Sequence, residues 1–229
     1  MKAMILAAGR GVRMRPVSDS VPKALLPVAG RPLIAHVIER LARPGFSELV
    51  VNVSHLGHLI ERELGDGSRY GVRIGYSREV EPLETGGGIA YALPLLGAAP
   101  FAVVNGDVYA DFDFARLVPA LAALARGERM AHLVLVDNPP HHTGGDFCLR
   151  GERVATEGTQ RLTFSGIGAY SPALFAPVER GTRRPLAALL APAMAEGLVA
   201  GEHHRGLWMD VGTPQRLAAL ERTLAGGDS

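Results

Sequence analysis

Short apolar runs alternate with longer stretches in which apolar residues recur at helical spacing. The runs at residues 3–8, 48–53, 101–104 and 132–136 have the length of strands buried on both faces. Between and after them, residues 33–43, 56–64, 88–96 and 114–126 carry the helical pattern. This βα alternation predicts an α/β fold: a Rossmann-like, doubly wound, mostly parallel mixed sheet with helices on both faces. Residues 146–150 and 162–170 read as later strands with a hairpin or loop at 151–161, expected to form the wall facing a second substrate. Helices are expected at 186–196 and 214–224, and a frayed tail at 225–229. No linker or composition break divides the sequence, so 1–229 is read as a single domain.

Composition narrows the partners. Twenty-four basic residues stand against 23 acidic ones, a formal net charge of +1, so no global field draws the chain to nucleic acid or to an anionic membrane. Positive charge matters only where it is clustered. No apolar stretch of membrane-spanning length and no signal-peptide pattern is found, and the single cysteine excludes an internal disulfide. A cytoplasmic protein is expected, a monomer or small homo-oligomer. Cys148, inside the alternating Asp-Phe-Cys-Leu-Arg segment, reads as a strand residue rather than a nucleophile.

The densest chemistry follows the first strand. Gly9 and Gly11 allow a tight turn with exposed N–H groups, which form an anion-binding nest. Arg13 and Arg15 add planar forks for phosphate oxygens, and Lys23, fixed behind Pro22, adds a compact point charge. No Lys-Ser/Thr pair of the P-loop follows the glycines, and their spacing is not that of the dinucleotide fingerprint.

Leu6-Ala-Ala-Gly-Arg-Gly-Val-Arg13-Met-Arg-Pro16 followed by Pro22-Lys-Ala-Leu-Leu-Pro-Val-Ala-Gly-Arg-Pro32 closely resembles the signature of the sugar-1-phosphate nucleotidylyltransferases. That signature reads LAAGxGxRxxP and then PKxLxPVxGxP. The resemblance implies that Ala8, Gly9, Gly11, Val12, Arg13 and Lys23 hold a nucleoside triphosphate, with Arg13 and Lys23 as the catalytic cations. It further implies that the Glu81 to Gly88 segment closes over the base, together with the backbone near Ala7 and Ala8, and that Glu81, Thr85 and Gly86 contact the nucleotide. Glu81 alone does not choose the base, since a carboxylate accepts from uracil N3–H and from guanine N1–H and N2–H alike. The triple glycine 86–88 calls for close approach of a ligand or of packed backbone.

Asp107, in Asn105-Gly-Asp, falls at the carboxyl end of a predicted strand, where open α/β sheets bind ligands. Asp210 falls late in the chain, between Trp208 and Gly212. Either alone could be a turn or cap residue. The resemblance makes the pair ligands of Mg²⁺, an ion that takes hard oxygens and completes its shell with phosphate and water. Asp113 reads instead as the cap of the following helix. By the same resemblance, Asn105 serves nucleotide and sugar, and Asp146, Glu157 and Thr163 meet the sugar. The pairs His141-His142 and His203-His204 are not expected to chelate one ion, because neighbours on an extended chain face opposite ways. Solvated or structural roles are expected for them.

Within the family, the Glu81 to Gly88 segment, Leu135-Val-Asp-Asn-Pro139 and Gly201-Glu-His-His-Arg-Gly206 look most like the uridylyltransferases that act on N-acetylmuramic acid α-1-phosphate in cell-wall recycling. UTP and that sugar phosphate are then the expected substrates, with UDP-N-acetylmuramic acid and pyrophosphate as products. Arg205 is the candidate for the lactyl carboxylate and Arg31 the weaker one. Mannose- or heptose-1-phosphate guanylyltransferases and glucose-1-phosphate thymidylyltransferases are the competing members. The β-helix acetyltransferase domain of bifunctional members is not expected. From other classes, a metal-dependent glycosyltransferase would not need Arg13 and Lys23, and a nucleotide-sugar sensor would not keep the charged set.

Overall fold

The computed structural model describes residues 1–226, and residues 227–229, the end of the expected tail, lie outside the described residues. In chain order the elements are β1 (Lys2–Leu6), β2 (Pro27–Val28), β3 (Arg31–Pro32), α1 (Leu33–Ala42), β4 (Glu48–Val53), α2 (Gly57–Leu64) and β5 (Arg73–Arg78). There follow α3 (Glu84–Leu96), β6 (Phe101–Asn105), β7 (Val108–Ala110), α4 (Leu117–Ala125) and β8 (Ala131–Val136). The chain ends through β9 (Phe147–Arg150), β10 (Arg153–Ala155), β11 (Arg161–Tyr170), α5 (Leu186–Ala195), β12 (Val199–His204), β13 (Trp208–Asp210) and α6 (Pro214–Gly226).

Nine strands form one mixed sheet in the order β5-β4-β1-β6-β11-β8-β12-β10-β9. β5, β4, β1 and β6 are parallel neighbours, as are β8 and β12, while β11 and β10 run against the rest. The strand period of two divides each strand between two cores. Ala3, Ile5, Leu49, Val51 and Val104 face one side with Ile34, Val37, Ile38 and Leu41 of α1, whose i, i+3, i+4, i+7 spacing makes a single apolar stripe. Met4, Val50, Val103 and Leu133 face the other side with Ile89 and Leu96 of α3 and Leu190 and Met194 of α5. The expected two-sided architecture is therefore present. Among the described residues no helix is long and apolar enough to cross a membrane.

Some elements lie outside the sequence pattern. β5 and β12 are strands at half-polar segments, Arg-Ile-Gly-Tyr-Ser-Arg and Val-Ala-Gly-Glu-His-His, whose mixed composition hides them. The antiparallel pair β7–β13 joins residues about a hundred apart. Of the hairpin or loop expected at 151–161 the structure has the hairpin, β10 turning back on β9, and α3 begins at Glu84 rather than 88. Cys148 is buried in β9, as a structural residue. Asp113 caps the turn before α4, its carboxylate accepting from Ala115 N–H at 3.0 Å.

Candidate active site

The carboxyl ends of β1, β4, β5 and β6 open into a cavity of about 210 Å³ lined by Ala7, Ala8, Gly9, Lys23, Asn52, Glu79, Thr85, Asn105 and Asp107, among others. Five of the expected nucleotide contacts, Ala8, Gly9, Lys23, Thr85 and Asn105, thus come together. Gly11 stands just behind them in the left-handed region (φ 62°), and a Cβ there would lie 2.8 Å from the Lys23 side chain. The loop and the lysine are fitted to each other. Val12 is exposed and lies outside the lining.

Lys23 reaches across the cavity to form an ion pair with Asp107. Beyond Asp107 a second hollow of about 760 Å³ is lined by Arg13, Asn138, His141, Trp208, Asp210 and Arg216, among others. The two are joined by the β7–β13 ladder. Asp210 pairs with Val108, and Val211 N–H donates to the Asp107 carbonyl at 2.8 Å. Residues far apart in sequence are thereby neighbours at one sheet end. Arg216 Nη1 donates to Asp210 at 2.9 Å, and the His141 ring lies 3.0 Å from the same carboxylate.

Each carboxylate thus has its own cation. Among the described residues no three His, Cys, Asp or Glu side chains gather into a metal cage. Asp107 and Asp210, brought near each other by backbone pairing and facing one hollow each, offer hard oxygens that suit a divalent cation taking the rest of its shell from substrate and water.

The sugar-side candidates are more dispersed. Asp146 accepts from Phe164 N–H at 2.8 Å and faces the His142 ring at 3.0 Å. The Thr163 hydroxyl, almost buried, donates to Asn138 at 2.8 Å. Glu157 is exposed between β10 and β11, with its carbonyl accepting from Arg150. Arg205 is exposed between β12 and β13, outside both linings. Arg31 is taken by Glu39, donating to both carboxylate oxygens at 2.6 and 2.8 Å.

His141 and His142 do not converge on one point: the backbone turns at Pro139-Pro140 carry His141, still half-exposed, toward Asp210 while His142 goes to Asp146. His203 and His204 also diverge, toward Asp137 and Asp111. The Glu81 segment differs from expectation: Glu81 is exposed and Gly86 buried, both outside the cavity lining, whose acids are Glu79, Glu84 and Asp107.

Glycine at 86 and 87 is required by packing, because a Cβ on either would overlap backbone of the 182–186 segment before α5. Gly87→Ala should therefore lower stability by about 1–3 kcal/mol, roughly 2–12 °C in Tm, measurable by thermal melting. An unchanged melting point would mean that this contact does not constrain α3.

Asn52, Glu79, Asn138, His141 and Arg216 join the site without having been expected there. Asn52 has a visible signal, a lone amide inside the apolar run Leu-Val-Val-Asn-Val. Burial pushes the Glu79 carboxyl above its usual range, against the hydrogen bonds from Leu83 N–H and Asn52 that lower it.

Comparison with known proteins identifies the family and the fold. Residues 2–145 match the Nucleotidyl transferase family. The chain is 52% identical over 230 aligned residues to N-acetylmuramate alpha-1-phosphate uridylyltransferase of Neisseria meningitidis, covering 99% of each chain. It is 38% identical to the protein of the same name from Caulobacter vibrioides, covering 97% of this chain and 96% of that one. A crystal structure of a putative glucose-1-phosphate thymidylyltransferase from Bacillus anthracis superposes with a TM-score of 0.85 at 20% identity, over 97% of this chain and 94% of the other. That last likeness concerns the fold.

Proposed function

The chain belongs to the nucleotidyl transferase family, and from that premise we propose that it transfers a uridylyl group from UTP to N-acetylmuramic acid α-1-phosphate. The products are UDP-N-acetylmuramic acid and pyrophosphate, and the reaction serves recycling of cell-wall sugar in the cytoplasm. The observation that carries the reaction class is the pairing of Lys23 with Asp107 and of Arg216 with Asp210 across one short ladder, beside a glycine-lined cavity. The two relatives' names carry the choice of substrates.

The acceptor phosphate is ionised at neutral pH, so its oxygen attacks the α-phosphorus without a general base while pyrophosphate departs in line. The protein's work is alignment and charge neutralisation. Lys23 steadies the α-phosphate and the incoming phosphate, and Arg13 stabilises the departing pyrophosphate. Asp107 and Asp210 would hold Mg²⁺, which supplies Lewis-acid neutralisation of phosphate oxygens. Asn105, Thr85 and the Ala8 to Val12 loop hold the nucleotide, with Glu81 and Gly86 on the turn behind it. Asp146, Glu157 and Thr163 form the sugar wall.

Pyrophosphate release across a matrix of UTP, GTP and dTTP against muramyl, mannosyl and glucosyl 1-phosphates tests the reading. UTP with the muramyl substrate should give the highest kcat/KM, and preference for another pair would replace the assignment. We assign the lactyl carboxylate to Arg205, since Arg31 is committed to Glu39. Arg205→Ala should lower kcat/KM for the muramyl substrate about 10-fold or more, about 1.5–3 kcal/mol, and spare residual activity on N-acetylglucosamine 1-phosphate. Equal losses on both sugars would remove Arg205 from that role.

A further inference from the structure

One wall of the nucleotide cavity contains a buried hydrogen-bond chain that the reaction above leaves without a role. Asn52 and Glu79, 4% and 6% exposed, both line the cavity. Ala7 N–H donates to Asn52 Oδ1 at 2.7 Å, Asn52 Nδ2 donates to Glu79 Oε1 at 2.6 Å, and Leu83 N–H donates to Glu79 Oε2 at 2.9 Å. Both polar ends of the amide and both oxygens of the carboxylate have partners. The chain therefore runs unbroken from the loop leaving β1, through the ends of β4 and β5, to the turn entering α3. Around it the packing is tight. A Cβ at Gly88 would stand 2.7 Å from Glu79 Oε1 and 3.2 Å from Asn52 Nδ2, so the third glycine of the triplet makes room for this pair.

We propose that Asn52 and Glu79 are positioning residues that fasten the Ala7-Ala8 loop to the Pro82-Thr85 turn, holding two walls of the nucleotide cavity at the spacing UTP requires. Neither side chain contacts the reacting atoms in this role. The proposal rests on reading this cavity as the nucleotide site. A buried carboxylate is costly unless its hydrogen bonds are complete. An apolar pair could fill the same space, but it could not join three backbone segments by directed bonds. The pair thus makes the separation of the walls depend on donor and acceptor order, and this order can be reversed without altering size.

The test uses that reversal. Asn52→Asp sets two carboxylates against each other, and Glu79→Gln brings an amide N–H₂ against either Asn52 Nδ2 or Leu83 N–H. In the double variant N52D/E79Q, the carboxylate introduced at position 52 accepts from Ala7 N–H and from the amide introduced at position 79. The oxygen of that amide accepts from Leu83 N–H, so all three bonds return with the direction of the middle one reversed. Each single variant should weaken UTP binding, read by calorimetry, about 10-fold or more, and the double variant should come back to within about 3-fold of wild type. KM for the sugar phosphate should stay within about 3-fold throughout, a split that general loss of stability would not produce. Should a single variant fail to fold, Asn52→Ala breaks the same link without adding charge and is expected to show the same selective loss.

Wild-type UTP affinity in the folded single variants, equal losses for UTP and sugar phosphate, or a double variant no better than the singles would overturn the proposal. A wild-type enzyme that binds UTP but releases no pyrophosphate with any sugar 1-phosphate would instead overturn the reaction assigned above, while the binding series still judges the pair.

Discussion

Lys23→Ala should reduce turnover by about 10²–10³-fold with the fold retained, the scale for removing one preorganised charge-stabilising donor. The lysine is held on three sides. Pro22 fixes the backbone before it, Gly11 gives its stem room, and Asp107 takes its ammonium group. Its side chain is mostly buried while lining the cavity. The substitution removes a cation from the phosphate path and leaves Asp107 without its counter-charge. Single-turnover kinetics on a variant with a wild-type melting curve provide the check. Near-normal turnover in such a variant would end the assignment of Lys23 to the α-phosphate.

Asp107→Asn and Asp210→Asn should each lower the maximal rate by about 10³-fold, on the scale of several kcal/mol expected for loss of Lewis-acid neutralisation, and weaken divalent-ion binding. Asparagine keeps the shape but removes half of the negative charge the two carboxylates present together. Because Asp107 is bound by Lys23 and Asp210 by Arg216, each substitution also frees a cation inside the site. Calorimetric titration with Mg²⁺, with and without UTP, separates ligand loss from rearrangement. If both variants kept the wild-type Mg²⁺ midpoint and rate, the shared metal site would be abandoned.

The parts of this molecule legible in the sequence are those whose signal is local. β4 is a nearly unmixed apolar strand, α1 carries a full helical stripe, and the Gly9 to Lys23 segment concentrates glycine, arginine and lysine in one loop. Edge position dilutes the apolar pattern of β5, and the polar Glu-His-His end dilutes that of β12, so both strands are hidden. Arg216 and His141 reach Asp210 only through tertiary placement of α6 and of the loop after β8, so no spacing announces them. The glycines of α3 are conspicuous in the sequence, and the packed backbone expected against them is present at 86 and 87, with the buried amide–carboxylate pair against 88.

The short ladder between β7 and β13 also bears on how the protein comes into being. Every residue lining the smaller cavity has been synthesised once the ribosome reaches Asp107, whereas Asp210, its partner Arg216 and the strand that aligns them are made about a hundred residues later. On the roles proposed for Asp107 and Asp210, a nascent or truncated chain that stops before β13 has the residues of the smaller cavity and lacks half of that charge arrangement. Transfer would then wait for the β7–β13 ladder, and cleavage within the last elements should silence the enzyme before it empties the nucleotide cavity.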